Sequence, residues 1–88
     1  MKYAKEDIEK LETFLREKLK EAKEEELALR ITGKLSNDIY QEIVIVSLED
    51  DVLCIWSPGS EEPGNINEYV KWLDDLEIYL ATSYEKIF

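Results

Sequence analysis

Ile39-Tyr40-Gln41-Glu42-Ile43-Val44-Ile45-Val46-Ser47-Leu48 is the stretch on which the fold turns. β-Branched side chains dominate it, and these suit a pleated, half-buried surface better than a helix, where they lose χ1 freedom. It reads as the longest strand, 39–48. Upstream, Leu27, Leu29 and Ile31 alternate with Ala28, Arg30 and Thr32, the period of a half-buried strand. The intervening Gly33 to Asp38 is rich in turn residues and reads as a loop. Downstream, Glu49-Asp50-Asp51 makes a tight acidic turn into a third strand, 52–57. Connections this short favour an antiparallel meander.

Helices flank the strands. Over 4–23, Ile8, Leu11, Leu15, Leu19 and Ala22 recur at steps of three and four, with Phe14 widening the stripe. Glu6–Lys10 and Glu12–Arg16 support the opposite, solvated face. Glu24-Glu25-Glu26 opposes the negative end of the helix dipole, so the helix is expected to stop before or within that run. Residues 57–64 hold both prolines and two of the three glycines, which makes them a loop. Asn65 has the character of an N-cap, with Glu68 three residues on. A second helix is expected over 66–82, with Ile66, Tyr69, Val70, Leu73, Leu76 and Leu80 as its stripe. The predicted fold class is α+β, a single domain over 1–88 in the order αβββα.

Both faces of the second and third strands are apolar: Ile43 and Ile45 against Val44, Val46 and Leu48, and Cys54 and Trp56 against Leu53 and Ile55. Two helices on one side of the sheet would leave the other side as an apolar patch in need of a partner. One helix on each side would leave none.

The composition narrows the function classes. Of 88 residues 44% are hydrophobic and 36% charged, a globular balance with enough chain for one modest core. There is no histidine and a single cysteine, Cys54, which lies in the apolar run Val52–Trp56 and reads as an inert buried thiol. Zinc sites of Cys and His are thereby excluded, as is the commonest general acid–base residue. No Asp-x-Asp-x-Asp-Gly loop, phosphate loop or nucleophile elbow occurs, so neither a metal nor a cofactor is expected. A deep cleft for a carboxylate pair would consume so small a core, and the chain is read as not an enzyme. The first twenty residues lack an apolar signal segment, and no run approaches membrane-spanning length. With no disulfide possible within the chain, a soluble cytoplasmic protein is expected.

The net charge is −10. Residues 1–34 carry nine basic and nine acidic side chains and sum to zero; residues 35–88 carry twelve acidic ones against Lys71 and Lys86. Such a surface repels nucleic acid and anionic membrane and steers basic proteins towards it. The acid falls into three groups, Glu49-Asp50-Asp51, Glu61-Glu62, and Asp74-Asp75-Glu77 on the second helix. Brought together, they would form a row of carboxylates that an arginine- and lysine-lined phosphate groove accepts. The plainer reading of the same residues is a solvated surface that keeps the chain soluble. Among the aromatics, Trp72 and Tyr40 are the candidate interface anchors should they face outward, with core packing the alternative.

A small acidic chain of helix, three-stranded antiparallel sheet and helix resembles some anti-CRISPR proteins of phages and other mobile elements. That resemblance rests on element order and acidity over nearly the whole chain and on no motif. It implies an inhibitor that imitates DNA and blocks the target-recognition site of a nuclease. Acidic immunity proteins, which neutralise basic nuclease toxins, fit the same physics. The expected function is therefore a binding protein that occupies the nucleic-acid site of a basic partner through Glu49, Asp50, Asp51, Glu61, Glu62, Asp74, Asp75 and Glu77. The alternative is an interaction domain, homodimerising through the apolar sheet face. Subunit mass separates the two.

Overall fold

Leu11, Leu15 and Leu19 stand four residues apart, and all three are buried on the inward face of α1 (Lys5–Ala22). Burying each contributes roughly 1.5–3 kcal/mol, which is what holds this helix to the sheet. Helix α1 ends as its charges demand. Lys23 turns into the left-handed region at φ 53°, and Glu24 to Glu26 lie beyond the last turn. The computed structural model describes residues 3–71 and 73–88, so Trp72 lies outside the described residues.

Strand β1 (Glu26–Leu35) runs back under the helix and pairs along its whole length with β2 (Asp38–Glu49). The pairing corrects the expected loop at 33–38: Leu35 faces Asp38, so only Ser36 and Asn37 form the turn. Ser36 has φ 58°, the sign a two-residue hairpin turn needs at its first central position. The polar and glycine content of Gly33 to Asp38 concealed this, because a strand with one solvated face tolerates such residues. Gly33 itself is required. A Cβ there would lie 2.8 Å from the carbonyl oxygen of Asp75 and 3.0 Å from Leu73 Cδ1.

Glu49 faces Val52 across a second two-residue turn, in which Asp50 and Asp51 both have positive φ, 50° and 65°. Strand β3 (Val52–Trp56) follows. Helix α2 then occupies only Ile66–Lys71, with the Glu68 N–H donating to the Asn65 side chain at 2.9 Å, as the cap predicts.

The expected helix over 66–82 is overturned beyond Lys71. Residues Asp75–Leu80 form β4, antiparallel to β1. Leu76 and Leu80 fit both a helical and an alternating pattern; Ile78, buried between them, fits only the alternating one. The element order is αβββαβ, and the sheet is four-stranded in the order β3-β2-β1-β4, not three-stranded. The class remains α+β.

One face of the sheet carries Leu29, Ile31, Val44, Val46, Leu53, Ile55, Leu76, Ile78 and Leu80, which pack with α1 and with Ile66 and Val70 of α2 into one cluster. Both helices therefore lie on the same side. Among the described residues no helix is long and apolar enough to cross a membrane.

Candidate protein-binding surface

Among the described residues no helix lies over the opposite face. By alternation it displays Ala28, Arg30, Thr32 and Lys34 from β1 and Ile39, Gln41, Ile43, Ile45, Ser47 and Glu49 from β2. Val52, Cys54 and Trp56 from β3 join them, with Asp75, Glu77 and Tyr79 from β4. Its two halves differ in chemistry. On the β1–β4 side several of the polar groups are paired with one another. Lys86 and Tyr79 both donate to Glu77 at 3.0 Å, which holds the Glu77 carboxyl below its ordinary range and Lys86 above its own. Arg30 stacks over the Tyr84 ring, 5.1 Å from its centroid.

The β2–β3 side is apolar and open: Ile39 is 80% exposed, Val52 57% and Ile43 42%. Trp56 lies against this side, and its indole Nε1 donates to the Ser47 hydroxyl at 2.9 Å. The ring reaches across the strand pair from its place opposite Ile45 towards Ser47, and Ser47 and Cys54 are both buried although no helix covers them.

The predicted acidic residues do not form one row. Glu49, Asp50 and Asp51 occupy the β2–β3 turn. Asp75 faces Lys34, which faces Ile39 of β2, ten residues along the strand from Glu49. Glu77 faces Thr32 and thus Gln41. At the rise of a strand, these groups stand about 27–33 Å from Glu49 along the sheet. Asp75 and Glu77 are strand residues and not helical ones, and Asp74 lies in the connection before β4. Glu61 and Glu62 sit in the exposed loop that leaves β3 at Trp56, the end away from the turn. The sheet order keeps the three groups apart, because β4 pairs with β1 and not with the β2–β3 hairpin.

A different set does converge. Glu26 faces Ser47, so the start of β1 lies beside the end of β2. Glu24, Glu25 and Glu26 are thereby carried to the same end of the sheet as Glu49, Asp50 and Asp51. Four of them, Glu24, Glu25, Glu26 and Glu49, line a single depression with Leu19, Ile45, Ser47, Leu48 and Trp56. Arg16 approaches Asp51 at 3.5 Å, but Asp51 is 93% exposed, so water screens that pair. Hairpin geometry was the available signal for Glu24–Glu26, since the residues entering one strand and leaving its antiparallel neighbour must share an end.

The candidate anchor Tyr40 lies on the helix-covered face, half-buried, with its hydroxyl bonded to Glu42 and to the Tyr69 hydroxyl. Burial pushes the Tyr40 hydroxyl and the Glu42 carboxyl above their ordinary values. It is a packing residue. Among the described residues no group of acidic, cysteine or histidine side chains has a metal-holding arrangement. No protein-family model, no curated protein and no solved structure matches this chain.

Proposed function

We propose that this chain is a non-catalytic binding protein that docks on a basic protein surface, of the kind that nucleic-acid-binding proteins present to phosphate, and blocks it. The observation that carries the reading is the depression at the acidic end, where the apolar Leu19, Ile45, Leu48 and Trp56 line the same hollow as Glu24, Glu25, Glu26 and Glu49. An arginine of the partner satisfies both parts of such a site. Its guanidinium stacks on the indole while the carboxylates accept its N–H groups. The net charge of −10 supports the same reading, because it speeds encounter with a basic surface and repels free nucleic acid.

The contact differs from a long row of phosphate mimics. Carboxylates about 27–33 Å away at Glu77 and Asp75 stand outside it, and Glu77 is already held by Lys86 and Tyr79. Its expected chemistry is an aromatic anchor with an acidic rim, the arrangement in which interface energy concentrates. Capture from cell lysate tests the reading when the wild type is run beside Trp56→Ala and beside Glu26→Lys/Glu49→Lys. The proposal requires basic proteins that bind the wild type, leave it as salt rises, and are lost with both variants. Retention of the same proteins by either variant sinks it.

A further inference from the structure

Strand β2 outruns its neighbour. It extends from Asp38 to Glu49, but β3 pairs only with Ile45 to Glu49, because the chain turns off the strand line after Trp56, with Ser60 N–H donating to Ser57 O at 3.1 Å. The direction of the free backbone groups can be read from Gly64. Ile55 exchanges both backbone hydrogen bonds with Gly64 at 2.8 Å on the outer side of β3, so its pairing with Val46 is the kind without hydrogen bonds between the two. The N–H and C=O groups of Ile45, Ser47 and Glu49 therefore point to β3. By the two-residue period, those of Ile39, Gln41 and Ile43 point the same way, where no strand stands.

The other strand edges are partly occupied. Gly64 covers β3 at Ile55, and the chain end covers β4, with Ile87 N–H donating to Ile78 O at 2.9 Å and Leu80 N–H to Glu85 O at 3.2 Å. The lower half of β2 is thus an uncovered edge among the described residues, and it carries the exposed Ile39 and Ile43. Natural proteins protect such edges with charge, proline or a covering segment. Here, the open-face side chains of the edge are Ile39, Gln41 and Ile43.

We infer that this edge pairs with the same edge of a second copy, antiparallel about a two-fold axis at Gln41, to join the two sheets into one. The segment is complementary to itself in that register. Ile39 meets Ile43 of the second copy, and Gln41 meets Gln41, which matches the three residues whose backbone groups are free. On the helix-covered face Glu42 meets Tyr40 of the second copy, and Asp38 meets Val44 by the same arithmetic, so no two carboxylates stand directly opposite. The free stretch, 38–44, is as long as the segment that fills it. The acidic ends do not oppose the union. Glu49 lies eight residues from the axis, about 27 Å along the strand and beyond the screening length of about 8 Å at physiological salt. The proposal is independent of the partner-binding reading.

Sedimentation of the wild type, together with cysteine cross-linking in a Cys54→Ser background, tests it. Twice the monomer mass is expected, falling to the monomer in Ile39→Lys/Ile43→Lys with an unchanged circular dichroism spectrum. Gln41→Cys should form a covalent dimer under mild oxidation far faster than Ile39→Cys, because only position 41 meets itself, with Cα atoms about 5.5 Å apart. A wild type that stays monomeric at every concentration overturns the proposal and leaves the edge to a strand of another protein. A dimer that cross-links no better at 41 than at 39 overturns it too.

Discussion

The Trp56 indole donates to the Ser47 hydroxyl at 2.9 Å on the face of the sheet that no helix covers. That bond joins β3 to β2 through side chains and sets the indole where the acidic end meets the open face. Ser47 is 7% exposed, so it depends on this partner. Trp56→Phe is expected to cost about 1 kcal/mol in urea unfolding. Ser47→Ala/Trp56→Phe should cost less than the two single changes combined, since removing both partners leaves no buried group unmatched.

The β2–β3 turn holds a second testable strain. Asp50 and Asp51 both sit at positive φ, where a side chain is disfavoured and where asparagine–glycine is the preferred pair. Asp51→Gly should stabilise the fold by roughly 0.5–1 kcal/mol, the relief of left-handed strain less the added freedom of the unfolded chain. The lost contact with Arg16 subtracts little because Asp51 is solvated. A higher urea midpoint at unchanged slope is the expected result.

Gly33 lies close against Asp75 at the start of β4 and against Leu73 just before it. An alanine Cβ would stand 2.8 Å from a backbone oxygen, that of Asp75, which cannot swing aside as a side chain can. Gly33→Ala should lower stability by about 1–3 kcal/mol. Thermal unfolding measures this, and an unchanged midpoint would show that β4 is not seated on β1 as described.

Glu42 gives the fold a pH dependence of definite sign. Burial raises its folded-state pKa. The folded state therefore holds the proton more tightly than the unfolded one, and the associated stability is present at low pH and lost as pH rises through the folded value. Glu42→Gln should gain stability over the wild type near neutrality, with the two converging below about pH 3, where the glutamate is protonated in both states. Urea midpoints at the two pH values would reveal it, and a difference independent of pH would assign the effect to packing alone.

Much of the fold was legible before any coordinates. The helical stripe of Leu11, Leu15 and Leu19, the β-branched run of β2 and the Asn65 cap all declare themselves through local periodicity and hydrogen-bonding chemistry. Strand β4 did not, because Leu73, Leu76 and Leu80 keep a helical interval while Leu76, Ile78 and Leu80 keep an alternating one. Tertiary pairing with β1 selects the second. That misreading also misplaced the acid: a helix could have carried Asp74, Asp75 and Glu77 to the hairpin, but a strand paired beyond β1 cannot. Glu24 to Glu26 were visible only as helix terminators. Their approach to Glu49 depends on the register of β1 with β2, which is a property of the pairing and not of either segment.

The most direct test of the proposed binding surface is a nuclear magnetic resonance titration of the labelled protein with an arginine-rich peptide at low and at raised salt. The Trp56 indole N–H and the amides of Glu26, Ser47 and Glu49 should shift first and furthest, and these shifts should shrink as salt is added. Shifts of equal size at Glu61, Glu62 and Asp75, or no movement of Trp56, would contradict the proposal and leave the acid with no role beyond solubility.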